Sequence, residues 1–323
     1  MSLYSKLAEN KTLVELIENY RERKKEKNKK KRVRGQYKFE NRKNDYNKMC
    51  IILAGYKSYL WDDIFERISN YVSGDIDICI VSSGLYSSEL SEIARKNSWS
   101  YLSVKQNKVS LVQNIVINLF DKAEYIYKLD EDIFVTKNMF DNMFKTYKDA
   151  EKKSKYRVGF VAPMIPINGY SHIKILEKTG LLKKYEEKFG RAQHDWNPKG
   201  KVVINPNIAK FMWGETEEKL RNIDKLDEEF SKEEFNYSIC SIRFSIGAIL
   251  FSRQLWEDMG RFKVRMGNNM GLDEIQIADY LLADSRVVFV SENTVAGHFS
   301  YGPQTAAMKE FYKNNREIFK LKK

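Results

Sequence analysis

The sequence predicts an α/β protein whose mainly parallel sheet is flanked by helices. From residue 48 onward, short apolar runs alternate with helical stretches, which is the pattern of strands joined by crossover helices. The chain has 323 residues, 42% of them hydrophobic, enough to bury one large core. Polar side chains follow the ends of successive apolar runs, and ligands of such sheets bind beyond the carboxyl ends of the strands. We therefore expect a ligand site at that edge.

Residues 1–47 predict a basic helical extension. Thr12 and Glu15 have the spacing of a capping box before a short amphipathic stretch. Residues 1–48 hold 16 Lys and Arg against 7 Asp and Glu, so the rest of the chain carries only +3 of the net charge of +12. A basic segment beside a near-neutral body indicates an appendage and argues against a nucleic-acid-binding protein. Residues 1–35 are thus either a packing arm or a contact to anionic membrane.

Residues 48–323 are expected to form one catalytic domain, with residues 168–236 as a helical insertion on the acceptor side. Strands are predicted at Met49–Ala54, Ile76–Ser82, Tyr101–Val104, Tyr125–Leu129, Val158–Ala162, Ser241–Phe251 and Val287–Val290, and helices at Ile173–Phe189, Glu215–Phe230, Gln254–Met259 and Ile275–Leu282.

Three aromatic residues of the insertion, Tyr170, Trp196 and Trp213, are either core packing or platforms for sugar rings. The three cysteines, Cys50, Cys79 and Cys240, are widely spaced in apolar runs, which predicts buried free thiols rather than metal ligands.

No stretch approaches the roughly 20 apolar residues of a membrane span, and the N-terminus lacks the apolar block of a secretory signal. The expected location is the cytoplasm, with peripheral contact to the inner membrane face as the open alternative.

The chemistry is expected at Asp130-Glu131-Asp132, where an apolar strand ends in three acids. Clustered carboxylates repel one another unless a cation lies between them, and Mg²⁺ or Mn²⁺ prefers their oxygens. His298 follows the last strand and is a candidate to complete a metal site. Asp273 and Glu274 precede a helix, where they either favour its dipole or provide a general base.

Taken in order, these motifs resemble the GT-A glycosyltransferases, in particular the family 2-like group, over residues 48–135 and 241–300. The matching positions are Asn107, Asn114, Asp130 and Asp132, the stretch Ser245–Phe262, the pair Asp273-Glu274, and His298. This chain departs from the family in having Gln113 where Arg is usual, Ser82-Ser83 where an Asp is frequent, and the two acids at 273–274 in reversed order.

The resemblance implies a hexosyl transfer from a nucleotide-sugar donor to an acceptor hydroxyl, inverting rather than retaining. The acceptor would be a carbohydrate or a lipid-linked molecule of bacterial surface polysaccharide or glycoconjugate assembly. The base would be Glu274 or Asp273. The metal, Mn²⁺ or Mg²⁺, would be held by Asp130, Asp132 and His298, and the donor, expected to be a UDP-sugar, by Ala54, Gly55, Tyr56, Ser82, Asn107, Asn114, Asp130 and Glu131.

Two alternatives stay open. A sugar nucleotidyltransferase would need a glycine-rich loop after the first strand, and Gly55-Tyr56-Lys57-Ser58 is poor in glycine. A non-catalytic, glycosyltransferase-like subunit is compatible with the reversed acid pair.

Overall fold

The computed structural model describes residues 11–267 and 271–321. Within these residues lie the strands β1 (Tyr37–Glu40), β2 (Lys48–Leu53), β3 (Ile76–Ser83), β4 (Ser100–Val104), β5 (Tyr125–Asp130), β6 (Ile133–Phe134), β7 (Arg157–Met164), β8 (Tyr237–Cys240), β9 (Ala248–Ser252), β10 (Arg286–Val295) and β11 (Gly297–His298).

The helices in the same two ranges are α1 (Lys11–Arg32), α2 (Trp61–Tyr71), α3 (Ser88–Lys96), α4 (Val109–Leu119), α5 (Met139–Lys153), α6 (Ser171–Thr179), α7 (Leu182–Phe189), α8 (Lys201–Ile204), α9 (Pro206–Met212), α10 (Ile223–Ser231), α11 (Arg253–Asp258), α12 (Leu272–Ala283) and α13 (Thr305–Asn314).

Nine of the strands form one sheet in the order β1-β4-β3-β2-β5-β9-β7-β10-β8. The strands β2, β3, β4, β5, β7 and β10 point one way, and β1, β9 and β8 oppose them. This confirms the predicted mixed, mainly parallel sheet flanked by helices, the architecture that the GT-A resemblance implies. The strand order reverses between β2 and β5, and ligands of open α/β sheets bind at such a switch point.

The central strands are apolar because helices cover both faces of the sheet. All eight residues of β3 and all five of β4 are buried, as are four of the six in β2. Buried parallel strands read as continuous apolar runs rather than alternating ones, so their bounds agree with the predicted runs to within two residues.

The segment before residue 48 differs from the predicted separate extension. Tyr37–Glu40 adds an antiparallel edge strand to β4. The helix runs unbroken from Lys11 to Arg32, and the Arg32 side chain donates to the backbone oxygen of Arg261. The run of charges therefore continues the helix.

The segment between β7 and β8 is helical in the described residues, as the sequence indicated. The predicted helix over 173–189 is two helices, because Gly180 ends α6 in the left-handed conformation (φ 72°). Residues 241–247, which were expected to be strand, are not part of any strand, and β9 begins only at Ala248.

A separate two-stranded sheet joins the acid cluster to the C-terminal segment. Its strands pair Ile133 with His298 and Phe134 with Gly297, and the backbone N–H of Phe299 donates to the carbonyl of Asp132. Asp132 and His298, 166 positions apart, are thereby fixed as neighbours.

Cys50, Cys79 and Cys240 are buried and free, as predicted. Among the described helices, none is both long and apolar enough to cross a bilayer.

Candidate active site at the sheet switch point

Glu131 builds the loop after β2. Its carboxylate accepts hydrogen bonds from the backbone N–H groups of Gly55 (2.9 Å) and Tyr56 (2.8 Å) and from Trp61 Nε1 (2.7 Å), and the residue is buried. An ionised acceptor with three donors is a strong anchor for a loop. Glu131 therefore faces the protein, and Gly55 contributes its backbone to this anchor.

Asp132 faces the cleft beside two nitrogen groups. Its Oδ2 lies 3.4 Å from His298 Nε2 and also accepts a hydrogen bond from the Lys57 ammonium group. Burial alone would raise the pKa of the Asp132 carboxyl, but His298 and Lys57 hold this pKa well below its usual range. The carboxylate is thus ionised and available as a ligand.

Asp130 has a different partner. Its Oδ1 accepts a hydrogen bond from Lys128 Nζ at 2.6 Å, and the same ammonium donates to the carbonyl of Ile246 at 2.7 Å. The Lys128 side chain is only 3% exposed. Since this cation is buried inside the sheet, Asp130 is compensated by the protein itself.

The predicted three-residue metal set is therefore not assembled. Within residues 11–267 and 271–321, no three His, Cys, Asp or Glu side chains converge as metal ligands. Asp132 and His298 do lie next to each other. The Lys57 ammonium group contacts the same atom, Asp132 Oδ2, that faces His298. Mg²⁺-type ions are commonly held by one or two protein ligands, with phosphate oxygens and water completing the shell. The pair Asp132 and His298 fits such an ion, and Asp130 stands beside it.

On the nucleotide side, Tyr56 and Asn107 lie together at the rim. Tyr56 is 64% exposed, and its hydroxyl lies within hydrogen-bonding distance of two acceptors, the carbonyl of Ser83 (3.2 Å) and Asn107 Oδ1 (3.1 Å). Gly84 (φ 83°) is required here, because a Cβ at this position would lie 2.6 Å from the Asn107 Cβ. An exposed ring at a strand end can stack on a base.

Two other residues expected at the donor lie inside the protein. Ser82 is fully buried, and its hydroxyl bonds to the carbonyl of Leu85 and to Tyr101 Oη. Ala54 is buried at the end of β2, where its N–H donates to Val81. Neither side chain offers a free polar group to a ligand.

Asn114 is fully buried among the elements beneath the cleft. Its amide donates to the carbonyls of Arg32 and Phe262 and accepts from Trp256 Nε1 and the Phe262 N–H, all at 2.8–3.0 Å. These four bonds use the full capacity of an amide. The family-like Asn114 is therefore a packing and bonding centre in this chain.

The two acids at the start of α12 also differ in their partners and their surroundings. Asp273 is 4% exposed and accepts a hydrogen bond from Gln113 Nε2 at 2.8 Å. The Asp273 carboxylate is therefore bonded to a neutral amide.

Glu274 lines an open pocket. Its Oε1 accepts from Arg243 Nη2 (2.8 Å), Arg243 Nε (3.0 Å) and Trp196 Nε1 (3.1 Å). Burial raises the pKa of Glu274, although Arg243 opposes the shift. The pocket has a volume of about 250 Å³ and is lined by Trp196, Asn197, Pro198, Val203, Arg243, Glu274, Tyr301, Gly302 and Pro303.

Tyr301 links this pocket to the acid cluster. Its ring centroid lies 4.5 Å from that of His298 and 5.1 Å from that of Trp196. Tyr301 therefore lies between the pocket of the candidate base and the candidate metal ligand His298.

Of Tyr170, Trp196 and Trp213, the aromatic residues considered as platforms for sugar rings, only Trp196 borders the pocket. Trp213 is fully buried against Gly297, where any Cβ would meet its ring at 2.3 Å, and its Nε1 donates to the carbonyl of His298. Tyr170 is also buried, and its hydroxyl donates to Ile239. These two rings pack, and Trp213 supports the strand that carries His298.

Sequence reasoning missed four polar contributors: Lys57, Lys128, Arg243 and Tyr301. Lys128 carried a readable signal, since a lysine inside an apolar strand must find an anion. The roles of Lys57, Arg243 and Tyr301 depend on contacts between distant segments, which no local pattern reveals.

Comparison with known proteins gives distant structural likenesses. The mannosyltransferase PcManGT from Pyrobaculum calidifontis, in complex with GDP-Man and Mn²⁺, is 11% identical over 86% of this chain and 65% of that chain, with a TM-score of 0.47. S. aureus TarS 1-349 is 11% identical over 84% and 64%, with a TM-score of 0.41. A mycobacterial protein is 12% identical over 81% and 70%, with a TM-score of 0.40.

This chain thus spans less than two thirds of the PcManGT and TarS chains. No protein-family model and no curated protein matches it. Likeness at this distance assigns no activity, which has to be argued from the site.

Proposed function

We propose that this chain is a metal-dependent GT-A glycosyltransferase that moves a hexosyl group from a nucleotide-diphosphate donor to an acceptor hydroxyl. One observation carries the proposal. The neighbouring side chains of Asp132 and His298 and a carboxylate-bearing pocket, with Glu274, are joined by the ring of Tyr301, which contacts His298 and lines the pocket. Transfer between two substrates needs two adjoining subsites, and this arrangement supplies them.

The donor side is assigned to the loops after β2, β4 and β5. Tyr56 and Asn107 would contact the nucleoside, and Asp130 would contact the ribose or reach the ion through water. Glu131 would act on the donor through the loop that it holds. A Mn²⁺ or Mg²⁺ ion on Asp132 and His298 would neutralise charge on the donor's phosphates. A UDP-sugar is the expected donor.

On the acceptor side, Glu274 is the proposed general base. It would take the proton of the acceptor hydroxyl as that oxygen bonds to the anomeric carbon and the bond from this carbon to the phosphate oxygen breaks. A carboxylate whose pKa is raised by burial is a better base near neutral pH than an ordinary one. A single displacement of this kind inverts the configuration. Asp273 would position the start of α12 through Gln113.

The acceptor pocket is suited to a sugar ring. Trp196 and Tyr301 offer apolar faces at its wall, while Arg243 and Glu274 offer hydrogen-bond partners for hydroxyl groups. A carbohydrate or lipid-linked acceptor of surface polysaccharide or glycoconjugate assembly fits this pocket.

A contact to anionic membrane is proposed for α1. This helix carries ten Lys and Arg against four Glu, and its apolar residues Leu16, Ile17 and Tyr20 are exposed. Basic residues gain roughly 1 kcal/mol each near an anionic bilayer. Co-sedimentation with vesicles that contain phosphatidylserine, but not with pure phosphatidylcholine vesicles, is the expected result.

The test is nucleotide release from a panel of UDP-, GDP-, CMP- and dTDP-sugars in the presence of Mn²⁺. We expect release from one donor, abolished by EDTA and by Asp132→Asn. Asp121→Asn is the matched control, because Asp121 is an exposed acid outside the cleft.

Two results would contradict the proposal. Failure of every donor together with failure of Mn²⁺-dependent nucleotide binding would favour the non-catalytic subunit. Release of pyrophosphate from a nucleoside triphosphate and a sugar phosphate would favour the nucleotidyltransferase.

A further inference from the structure

Lys57 lies at the point where the loop after β2 meets the acid cluster. The loop is fixed by the bonds from Gly55 and Tyr56 to Glu131, so the Lys57 backbone cannot move far. The side chain is 25% exposed and ends on Asp132 Oδ2, the oxygen next to His298 Nε2. One carboxylate oxygen thus serves both the ammonium group and the proposed metal position.

We infer that Lys57 couples metal binding to donor binding: it pairs with Asp132 when the cleft holds no donor and moves to the donor's diphosphate when the metal and the nucleotide enter together. The inference rests on the proposed function. It assigns to Lys57 a positioning and phosphate-binding role that the sequence motifs do not indicate.

Charge balance gives the physical reason. A divalent ion at Asp132 must displace the ammonium group, because two cations on one oxygen repel each other at short range. If the ion enters alone, Lys57 loses the ion-pair partner that the structure describes for it, in a mostly buried position, which is unfavourable. If a nucleoside diphosphate enters as well, its oxygens give the ammonium group a new partner. Lysine is a common phosphate ligand, and its flexible stem allows such a change of partner.

Lys128 shows why only one of the two lysines can act in this way. Its ammonium group is held by both Asp130 and the carbonyl of Ile246, and its side chain is 3% exposed. A nucleotide cannot reach it, and Asp130 has no other cation among the described ion pairs. The exchangeable cation of the acid cluster is therefore Lys57.

A second group of the cleft would meet the phosphates with Lys57. The Tyr59 hydroxyl is buried with no hydrogen-bond partner in the described residues, and it lies in the electrostatic field of Lys57, Asp132 and Glu131. A buried hydroxyl without a partner usually waits for a ligand or a water.

The experiment is calorimetric titration of the full chain with MnCl₂, with and without UDP, and with GDP as a second nucleotide. In the wild type we expect the nucleotide to raise Mn²⁺ affinity by about tenfold or more. Lys57→Met should bind Mn²⁺ alone about tenfold more tightly than the wild type and bind UDP with Mn²⁺ more weakly, so that the coupling largely disappears. Lys57→Arg, which keeps the charge, should retain the coupling.

Lys96→Met is the matched control, since Lys96 is an exposed lysine at the end of α3, outside the loops assigned to the donor, and the substitution makes the same change in net charge. It should leave both affinities unchanged. Lys57→Gln provides a second neutral variant if thermal unfolding shows that Lys57→Met is not folded.

Two outcomes separate this inference from the proposed function. If the wild type binds Mn²⁺ and a nucleotide together, but neutral variants at 57 leave Mn²⁺ affinity without nucleotide within about twofold, the coupling role of Lys57 is overturned while the transferase stands. If the wild type binds neither nucleotide with Mn²⁺, the proposed function falls, and the inference with it.

Discussion

Two pairs of neighbouring acids, one directly after β5 and one at the start of α12, are arranged in the same way. In each region, one carboxylate is buried on neutral donors: Glu131 on two backbone N–H groups and an indole, and Asp273 on the Gln113 amide. The other carboxylate faces the cleft and pairs with a cationic side chain: Asp132 with Lys57, and Glu274 with Arg243. Of two neighbouring acids in a motif, one can therefore stabilise the fold while the other faces the site. The hydrogen-bond partners of each carboxylate show which is which.

The regions differ in how the outward carboxylate is tuned. Two nitrogen groups lower the pKa of Asp132 despite its burial, whereas burial raises the pKa of Glu274 against the opposing charges of Arg243 and Lys128. The first environment favours a permanent anion for metal binding. The second favours a group that can take up a proton.

The largest expected effect separates Asp132 from Glu131. Asp132→Asn should lower donor turnover by about a thousandfold, because it removes the anion of the metal pair, while the fold is retained. Steady-state turnover at saturating Mn²⁺ and the thermal unfolding midpoint measure the two quantities. A drop in the midpoint without loss of turnover would reverse the roles assigned to these two acids.

The next effect separates Glu274 from Asp273. Glu274→Gln should lower kcat by about 10²–10⁴-fold with little change in donor KM, because it removes the proposed base. Asp273→Asn keeps a hydrogen-bond partner for Gln113 and should lower kcat by about tenfold or less. If the two variants exchange these magnitudes, Asp273 is the base.

A smaller effect is expected on stability. In Glu131→Gln, the new side-chain NH₂ group replaces one carboxylate oxygen, so at least one of the three groups that donate to Glu131 loses its acceptor. The free energy of unfolding should therefore fall by about 1–3 kcal/mol. Donor KM should rise because the loop with Tyr56 and Lys57 loosens. Urea denaturation, beside Asp121→Asn as the surface control, measures the first quantity. Unchanged stability would mean that Glu131 does not hold this loop.

The smallest effect concerns pH. Glu274 must be ionised to act as a base, and burial places its pKa above that of an ordinary glutamate, so kcat/KM should fall as pH drops through this raised value. Arg243→Gln removes a cation that lowers the pKa, so it should move this acid limb upward by about one pH unit. Lys128 and Asp273, the other charged neighbours, are unchanged in that variant. If the acid limb of the kcat/KM profile does not move in this variant, the ionisation of Glu274 does not control the rate.

The sheet was predictable because its strands are buried on both faces and therefore read as continuous apolar runs. Tyr37–Glu40 was missed because an edge strand of four residues, two of them charged, carries no such signal. Residues 241–247 were expected to begin the strand that ends at Phe251, but this strand begins only at Ala248, and Arg243 in the preceding segment donates to Glu274.

For the candidate site, the order of motifs singled out Asp132 and His298, which the structure places as neighbours, but it did not give the contacts of each residue. Asn114 matches the family position but bonds to Arg32, Trp256 and Phe262, which are between 82 and 148 positions away. Ser82 is turned into the core by Tyr101. Which way a polar side chain points is decided by partners that only the folded chain brings near.

The pairing of a buried Lys128 with a partly exposed Asp130 has a consequence for how related chains can vary. Removing the acid would leave a cation uncompensated inside the protein, which is strongly destabilising, whereas removing the lysine would leave a carboxylate that water still reaches. A homologue with a neutral residue at the position of Asp130 is therefore expected to have an uncharged residue at the position of Lys128, while its counterpart of Asp132 stays acidic.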